Sequence, residues 1–256
     1  MKYTTHPYEL IVVDNGSSDG TGRYLKGLKS RLITGDKRKI RAFKPVISEK
    51  NLGVSGALNI GIGIAKGKYV CYLNNDVIVT VNWLEGLVGC AQSDKKIGMV
   101  GCSTNKIRNA RGLFPRLAGF RNIKEIQKMA IGASLLRERQ YKKAHFIHGF
   151  CMLIKRGVVD KVGLFDERFY PCNGEDLDYS FRARKAGFKL VNAMNVFVFH
   201  FTSKATKSNK FIEQYGPIEN IPSMTKIKFI KKFGDEGRRY LKIYLDNQSI
   251  QKEQKS

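Results

Sequence analysis

Apolar and β-branched residues form short runs along the first hundred residues, and each run is stopped by polar or glycine-rich residues. Runs of this length predict buried strands, and the helical spacing of apolar or small residues between them predicts helices. The predicted strands are residues 9–14, 42–47, 68–73 and 98–102, and the predicted helices are residues 24–32, 53–65 and 83–93. Strands that alternate with helices predict an α/β fold with a mostly parallel, doubly wound sheet.

The second half of the chain is less regular. Residues 103–145 are basic and have no clear period. Apolar runs predict a strand at 146–154 and a long strand or strand pair at 189–201, with a helix at 174–186 between them. From residue 203 onward the chain is polar and basic, with one amphipathic helix predicted at 224–233.

The composition favours a folded body. The chain has 256 residues, of which 42% are hydrophobic, enough to bury a substantial core. No apolar stretch approaches the ~18 residues that a membrane span needs, and the first residues carry no apolar signal-peptide core. We therefore expect a cytoplasmic location. The five cysteines include no Cys-x-x-Cys pair, which opposes both a disulfide framework and a zinc knuckle.

The formal net charge of +24 is extreme. A field of this sign favours anionic partners such as nucleotide diphosphates, anionic lipid surfaces or nucleic acid. No stacking-aromatic motif or nucleic-acid module accompanies the charge, so nucleic acid is the least favoured of the three. A solvated basic surface without a partner is an equally simple interpretation.

Acidic residues follow two of the predicted strands. In parallel α/β sheets, ligands bind beyond the carboxyl ends of the strands. Asp14 ends the first strand, Asp19 lies in the following loop, and Asp76 comes just after the third strand. Such carboxylates can hydrogen-bond a nucleoside or ligate Mg²⁺ or Mn²⁺. The alternative is that residues 14–16 and 74–76 are simply turn-forming.

A third acidic cluster opens the helix predicted at 174–186. Glu175 and Asp176 lie in its first turn, where acids ordinarily complement the helix dipole. A functional alternative is a general base that the dipole keeps ionised. His200 ends the last apolar strand; His200 and His148 are each compatible with a structural or a ligand role.

The order of these pieces resembles glycosyltransferase family 2. The matching segments are VVDNGSSDGT at 12–21, NLG through NIG to GKY at 51–69, LNND at 73–76, GFCMLIKR through VGLFDERF at 149–169, and EDLD, Arg182 and AGF at 175–188. The resemblance covers residues 8–203. Within the family, the chain most resembles members that act on bacterial surface polysaccharides, including rhamnosyltransferases.

The resemblance implies a GT-A fold over residues 1–203, followed by a basic C-terminal extension at 204–256. The nucleotide-binding part would be about 1–102 and the acceptor-binding part about 103–203. It also implies inversion of the anomeric configuration by direct displacement. The implied partners are a nucleotide-sugar donor and a glycan or lipid-linked acceptor, and the basic tail suits peripheral docking on an anionic membrane.

Site residues are implied position by position. Asp176 would be the catalytic base, with Glu175 beside it near the acceptor. Asp76 would ligate a divalent metal, Mg²⁺ or Mn²⁺, and His200 lies where some members have a further metal ligand. The positions expected to contact the nucleotide are Asp14, Asn15, Asp19, Asn51, Gly53, Asn59, Asn74 and Asn75.

Two departures from the family pattern affect these expectations. Asn74 stands where the family usually has the first acid of Asp-x-Asp, so one negative charge near the metal is absent. Family members also begin with a buried strand and a helix before the segment matching 8–14, and Met1 falls inside that helix. We therefore expect the first strand of the sheet to be missing. The alternative function is a catalytically inactive GT-A fragment that retains only binding or scaffolding.

Overall fold

A computed structural model describes residues 2–33, 40–105, 122–201 and 221–253. Its strands are β1 (Tyr8–Asn15), β2 (Ile40–Ser48), β3 (Tyr69–Leu73), β4 (Val77–Val79), β5 (Ile97–Ser103), β6 (Tyr141–Lys143), β7 (Cys151–Lys155) and β8 (Lys189–His200). Its helices are α1 (Thr21–Ile33), α2 (Gly53–Ile64), α3 (Trp83–Ser93), α4 (Ile123–Leu136), α5 (Arg156–Val162), α6 (Glu175–Lys185) and α7 (Ile221–Glu253), with a 3-10 turn at Glu167–Phe169.

The described strands form two separate sheets. β1 and β2 pair in parallel as a two-stranded sheet. The other six form one mixed sheet of order β3-β7-β5-β8-β4, with β6 also on β8. Within it β5 and β8 are parallel, and the remaining pairs are antiparallel. Within the described ranges β1 pairs with β2 alone and β3 with β7 alone.

The core lies on both faces of the larger sheet. On one face α3 packs Leu87 and Cys90 against β5 and β8. On the other face α2, α5 and α6 pack against β3, β5 and β7, with Tyr179 of α6 fully buried. Every residue of β5 is buried, as expected of a strand covered on both faces.

The predicted elements of the first hundred residues are confirmed to within a few residues. Two later predictions are wrong. Residues 146–150 are not in a strand, because β7 begins only at Cys151. Residues 103–145 contain a regular helix, α4, capped at its start by the side chain of Asn122, which accepts from the Glu125 amide at 3.1 Å. Of that region, residues 106–121 lie outside the described residues, and Tyr141–Lys143 form β6.

The C-terminal extension contains α7, which is longer than the predicted 224–233 helix and has non-helical backbone angles at Gly234. Phe229, Tyr240 and Leu241 of α7 are buried against Phe169, Leu177 and Phe181. None of the helices in the described parts of the chain combines the length and the apolarity that crossing a bilayer requires.

Candidate active site

Asp76 and His200 meet at the end of the larger sheet. The antiparallel register of β4 and β8 sets Val77 opposite His200, and the Nε2 atom of His200 lies 3.1 Å from Oδ1 of Asp76. Two contacts fix the histidine: its backbone N–H donates to Asn105 Oδ1 at 2.8 Å, and its ring stacks on Phe150 with centroids 5.1 Å apart. This is the pair that the resemblance assigns to a metal.

Asn74 adjoins this pair. Its Nδ2 atom lies 3.4 Å from His200 Nε2, and its Oδ1 accepts a 2.6 Å hydrogen bond from the hydroxyl of Tyr72. The backbone N–H of Asn74 donates to Phe150 O at 2.9 Å, which continues the antiparallel pairing of β3 and β7 by one residue. Asn75 is exposed. The substituted first position of the triplet is therefore held in place by Tyr72.

Asp176 lies at the start of α6. Gly174, in a left-handed conformation, precedes the helix, and basic residues in its last turn oppose the acids of its first. One carboxylate oxygen, Oδ2, accepts from the N–H of Gly149 at 2.9 Å, and Oδ1 accepts from the N–H of Leu177 at 2.8 Å. These bonds orient a half-buried carboxylate.

Glu175 is buried, with 7% of its surface exposed, and its Oε2 atom has no hydrogen-bond partner among the described residues. Burial, and then the charge of Asp176, raises the pKa of Glu175 to about 8. Glu175 is thus protonated at neutral pH. It can donate a hydrogen bond, whereas Asp176 can accept one.

Tyr72 is the residue that connects these groups. A Cβ atom placed on Gly149 would lie 3.3 Å from Tyr72 Cε1 and 3.3 Å from Asp176 Cβ, so only a glycine separates the two side chains. Burial, and then the carboxylates of Glu175, Asp176 and Asp76, raises the pKa of Tyr72 well above its usual value. Tyr72 therefore contacts Asn74 through its hydroxyl and lies across Gly149 from Asp176.

Asp14 and Asp19 shape the loop after β1. Asp14 is buried, and its Oδ1 accepts from the N–H of Ser17 at 3.1 Å. Asp19 is exposed and accepts from the N–H of Thr21 at 3.1 Å, the cap of α1. Both residues have the local turn role considered for them in the sequence, and their contact with a nucleotide stays a prediction.

Asn15 joins the end of β1 to the start of α2. Its Nδ2 donates to Asn51 Oδ1 at 2.9 Å and to Gly53 O at 3.0 Å, and its Oδ1 accepts from Leu52 N at 2.8 Å. Gly53 has φ of +72°, and a Cβ there would lie 2.7 Å from the Tyr170 ring. Asn15, Asn51 and Gly53, which are three of the residues predicted to bind nucleotide, are therefore brought together.

Asn59 points elsewhere. Its Nδ2 donates to Phe165 O at 2.9 Å, and its Oδ1 accepts from Phe165 N at 2.8 Å. It thus fastens α2 to the segment that leads to α6. Its predicted nucleotide contact stays a prediction.

A family model described as "Glycosyl transferase family 2" matches residues 2–163, more than half of the chain. The chain belongs to glycosyl transferase family 2. Relatives of this family 2 protein include the amylovoran biosynthesis glycosyltransferase AmsB of Erwinia amylovora, 28% identical over 72% of this chain and 56% of AmsB. The O-antigen biosynthesis protein RfbC of Myxococcus xanthus is 26% identical over 58% of this chain and 12% of RfbC. The alignments thus span less than two thirds of these relatives.

The fold is shared with solved structures. One is GalNAc-T7 with UDP, GalNAc and Mn²⁺, with a TM-score of 0.54, 19% identity, and coverage of 78% of this chain and 38% of that one. At this identity the likeness concerns the fold. The GT-A fold expected from the sequence is therefore confirmed.

Three residues of the family 2 site were not singled out from the sequence. The position of Tyr72 could have been recognised from the sequence. It lies two residues before Asn74, and side chains two residues apart in a strand point to the same face. Asn105 and Phe150 carry no such signal, because their contacts with His200 depend on tertiary packing. His148, left open in the sequence, is half-buried. Its partial burial lowers its pKa, and the charge of Asp176 opposes this effect.

The donor set suits a hard divalent cation. No cluster of three or more His, Cys, Asp or Glu side chains that could hold a metal occurs among residues 2–33, 40–105, 122–201 and 221–253. A carboxylate and an imidazole nitrogen only 3.1 Å apart can turn toward a common ion, and the side-chain nitrogen of Asn74 lies 3.4 Å from that imidazole. Metals of nucleotide sites are ordinarily held by one or two protein groups together with substrate phosphates. The residues present therefore fit a cation that arrives with a diphosphate.

Proposed function

We propose that this protein is an inverting glycosyltransferase that moves a sugar from a nucleotide-diphosphate donor to a glycan or lipid-linked acceptor. The observation that supports it is that Asp76 and His200 meet beside Asn74, and that Tyr72, which donates to Asn74, lies across Gly149 from Asp176. Asp176 accepts the proton of the acceptor hydroxyl while that oxygen bonds to the anomeric carbon. The bond from that carbon to the diphosphate oxygen breaks, and the nucleoside diphosphate leaves with the electron pair.

Other residues have supporting roles in this proposal. Asp76 and His200 would hold Mg²⁺ or Mn²⁺, whose chemistry when bound is to offset the charge of the departing diphosphate. The residues around Asn15, Asn51 and Gly53 would face the nucleoside. Glu175, protonated beside the base, would hydrogen-bond a hydroxyl of the acceptor. The names of AmsB and RfbC support an acceptor of polysaccharide biosynthesis, in line with the rhamnosyltransferase-like resemblance.

A panel of UDP-, GDP- and dTDP-sugars, with Mn²⁺ and lipid-linked or glycan acceptors, tests the proposal through release of nucleoside diphosphate. Asp176→Asn should lower transfer by about 10²–10⁴-fold, the usual contribution of a general base. Its amide oxygen can still accept from Gly149, so the fold should persist. The control is Asp160→Asn, which changes an exposed carboxylate of α5. Undiminished transfer by Asp176→Asn would refute the assignment.

A catalytically inactive fragment is the second candidate, and the separation of β1–β2 from the larger sheet supports it. Calorimetry with UDP or GDP separates the two functions. An enzyme should give heat that depends on Mn²⁺, whereas a fragment that has lost donor affinity should give none.

We also propose peripheral contact with an anionic membrane on the cytoplasmic face. Met224 and Ile227 of α7 are 45% and 66% exposed, and Lys226 lies beside them. Exposed apolar side chains with a basic residue next to them on the same helix suit the interface of an anionic bilayer. The protein should sediment with phosphatidylglycerol-containing vesicles, and Ile227→Ser with Lys226→Glu should weaken this. Equal sedimentation with pure phosphatidylcholine vesicles would contradict the idea.

A further inference from the structure

Three side chains of α7 reach the segment that leads into α6. The hydroxyl of Thr225 donates to Asn173 O at 2.9 Å, and the ammonium of Lys228 donates to Tyr170 O at 2.8 Å. The ammonium of Lys232 lies 2.7 Å from Asp166 Oδ2. Positions 225, 228 and 232 share one face of a helix. That face of α7 therefore contacts residues 166–173 through three side chains.

Lys232 also binds a second carboxylate. Its Nζ contacts Asp178 Oδ1, and Asp178 is fully buried, with its other oxygen 2.8 Å from Arg182 Nε. Asp166 is bound in addition by Arg168. Hydrogen bonds from Arg168 and, to a smaller extent, Lys232 hold the pKa of Asp166 well below its usual value, although burial acts in the opposite direction. Lys232 is thus the cation that joins the acid before the Glu175–Asp176 turn to the acid after it.

The approach of α7 to this turn is close. Gly174 has φ of +97°, and a Cβ atom on it would overlap the methyl group of Thr225 and lie 2.8 Å from the Phe169 ring. Gly174 immediately precedes Glu175 and Asp176. The backbone of Gly174, which precedes the two acids, therefore lies directly against Thr225 of α7.

We propose that Lys232 is a positioning residue, which binds Asp166 and Asp178 so that the first turn of α6 presents Asp176 to the substrates. The inference rests on the proposed function of Asp176 as the base. The C-terminal extension then contributes to the acceptor side of the site, although none of its residues touches the reacting atoms.

Hydrogen–deuterium exchange of the whole chain tests the positioning directly and needs no substrate. Lys232→Met keeps the length of the side chain and removes its charge, which leaves buried Asp178 with one cation fewer. Exchange in peptides covering 166–178 should become at least about tenfold faster, while β5 stays protected. The matched control is Lys231→Met, since Lys231 is exposed on the same helix. Lys232→Arg should restore protection. Unchanged exchange at 166–178 in Lys232→Met would overturn the proposal.

Should Lys232→Met fail to fold, Lys232→Gln asks the same question. Its amide can still donate to one of the two carboxylates but carries no charge, so exchange of 166–178 should again rise; no change would overturn the proposal.

Kinetics add a second measurement. In Lys232→Met, kcat for nucleoside diphosphate release should fall while the half-saturating Mn²⁺ concentration stays constant, because the metal pair lies on other elements. A changed Mn²⁺ dependence, or an equal loss in Lys231→Met, would contradict a positioning role. Absence of transfer by the unmodified chain with every donor would count against the proposed function, and the exchange result would still decide the role of Lys232.

Discussion

His200 lies 3.1 Å from Asp76 because the register of β4 and β8 places Val77 opposite His200. The two residues are separated by more than a hundred positions in the chain, and only this pairing brings them together. The backbone N–H of Phe201 also donates to Asp76 O at 2.9 Å, which continues the pairing past the strand end. The pair is therefore positioned by backbone hydrogen bonds, which suits a site that must hold a cation at a fixed place.

Removal of either member of this pair should weaken metal-dependent binding. Asp76→Ala and His200→Ala should each raise the Mn²⁺ concentration needed for nucleoside diphosphate binding by at least about tenfold, since each removes a ligand atom. Calorimetry with UDP or GDP measures this. Asp235→Ala, which changes an exposed side chain of α7, is the control. An unchanged Mn²⁺ requirement in both variants would exclude the pair as the metal site.

Asn74→Asp restores the acid that the family usually has at this position. The added charge beside Asp76 should tighten Mn²⁺ binding by about tenfold, because the Coulomb attraction is only partly screened in a half-buried site. The Tyr72 hydroxyl can still donate to the new carboxylate. A Mn²⁺ titration of the variant in the presence of nucleoside diphosphate checks the direction. Weaker binding would mean that position 74 does not face the cation.

Glu175 should make stability depend on pH. Its pKa is raised from the ordinary 4.5 to about 8 in the folded protein, so the folded state retains a proton that the unfolded state releases. Its contribution to stability is complete below about pH 4.5 and is lost as pH rises through about 8. Melting temperatures of Glu175→Gln should therefore vary less between pH 5 and 8 than those of the unmodified chain. Glu138→Gln, at an exposed position, should leave the pH profile unaltered.

Two glycines of α2 should respond oppositely to alanine. Gly53 has a positive φ, and a Cβ there would lie 2.7 Å from the Tyr170 ring and 3.0 Å from Pro171 O. Gly53→Ala should therefore destabilise the fold by about 1–3 kcal/mol. A Cβ on Gly63 would meet nothing within 4 Å, so Gly63→Ala should stabilise by up to about 1 kcal/mol. Urea unfolding measures both, and equal effects of the two changes would contradict this account.

Elements that are determined by a local pattern of residues could be predicted from the sequence alone. Strand ends at Asp14 and at residues 74–76, and the acidic start of α6, are visible from apolar runs and turn residues. α4 was missed because the length of the basic region obscured its apolar spacing, although Asn122 and Glu125 form a helix-start signal. The strand predicted at 146–154 begins only at Cys151. Residues 146–150 are held instead by side chains, as where Ile147 N donates to Ser180 Oγ at 3.0 Å.

The site itself could be predicted only in part. Order along the chain indicated Asp76, Asp176 and His200, and family resemblance supplied their roles. Their relation in space depends on the register of antiparallel strands that periodicity does not encode. The roles of Tyr72 and Lys232 depend on burial and on long-range contacts in the same way.

The attachment of the β1–β2 sheet has a consequence for the order in which the protein loses structure. Within the described residues this sheet shares no strand pairing with the larger sheet. Its hydrogen bonds to neighbouring segments include those of Asn15, which donates to Gly53 O at 3.0 Å, and of Glu9, whose Oε1 accepts from Gly67 N at 2.8 Å. A backbone ladder opens cooperatively, whereas isolated hydrogen bonds contribute about 1 kcal/mol each and can break one at a time. We therefore expect β1 and β2 to open before β5 under native conditions. A donor that binds the closed form would stabilise the part of the molecule that opens first.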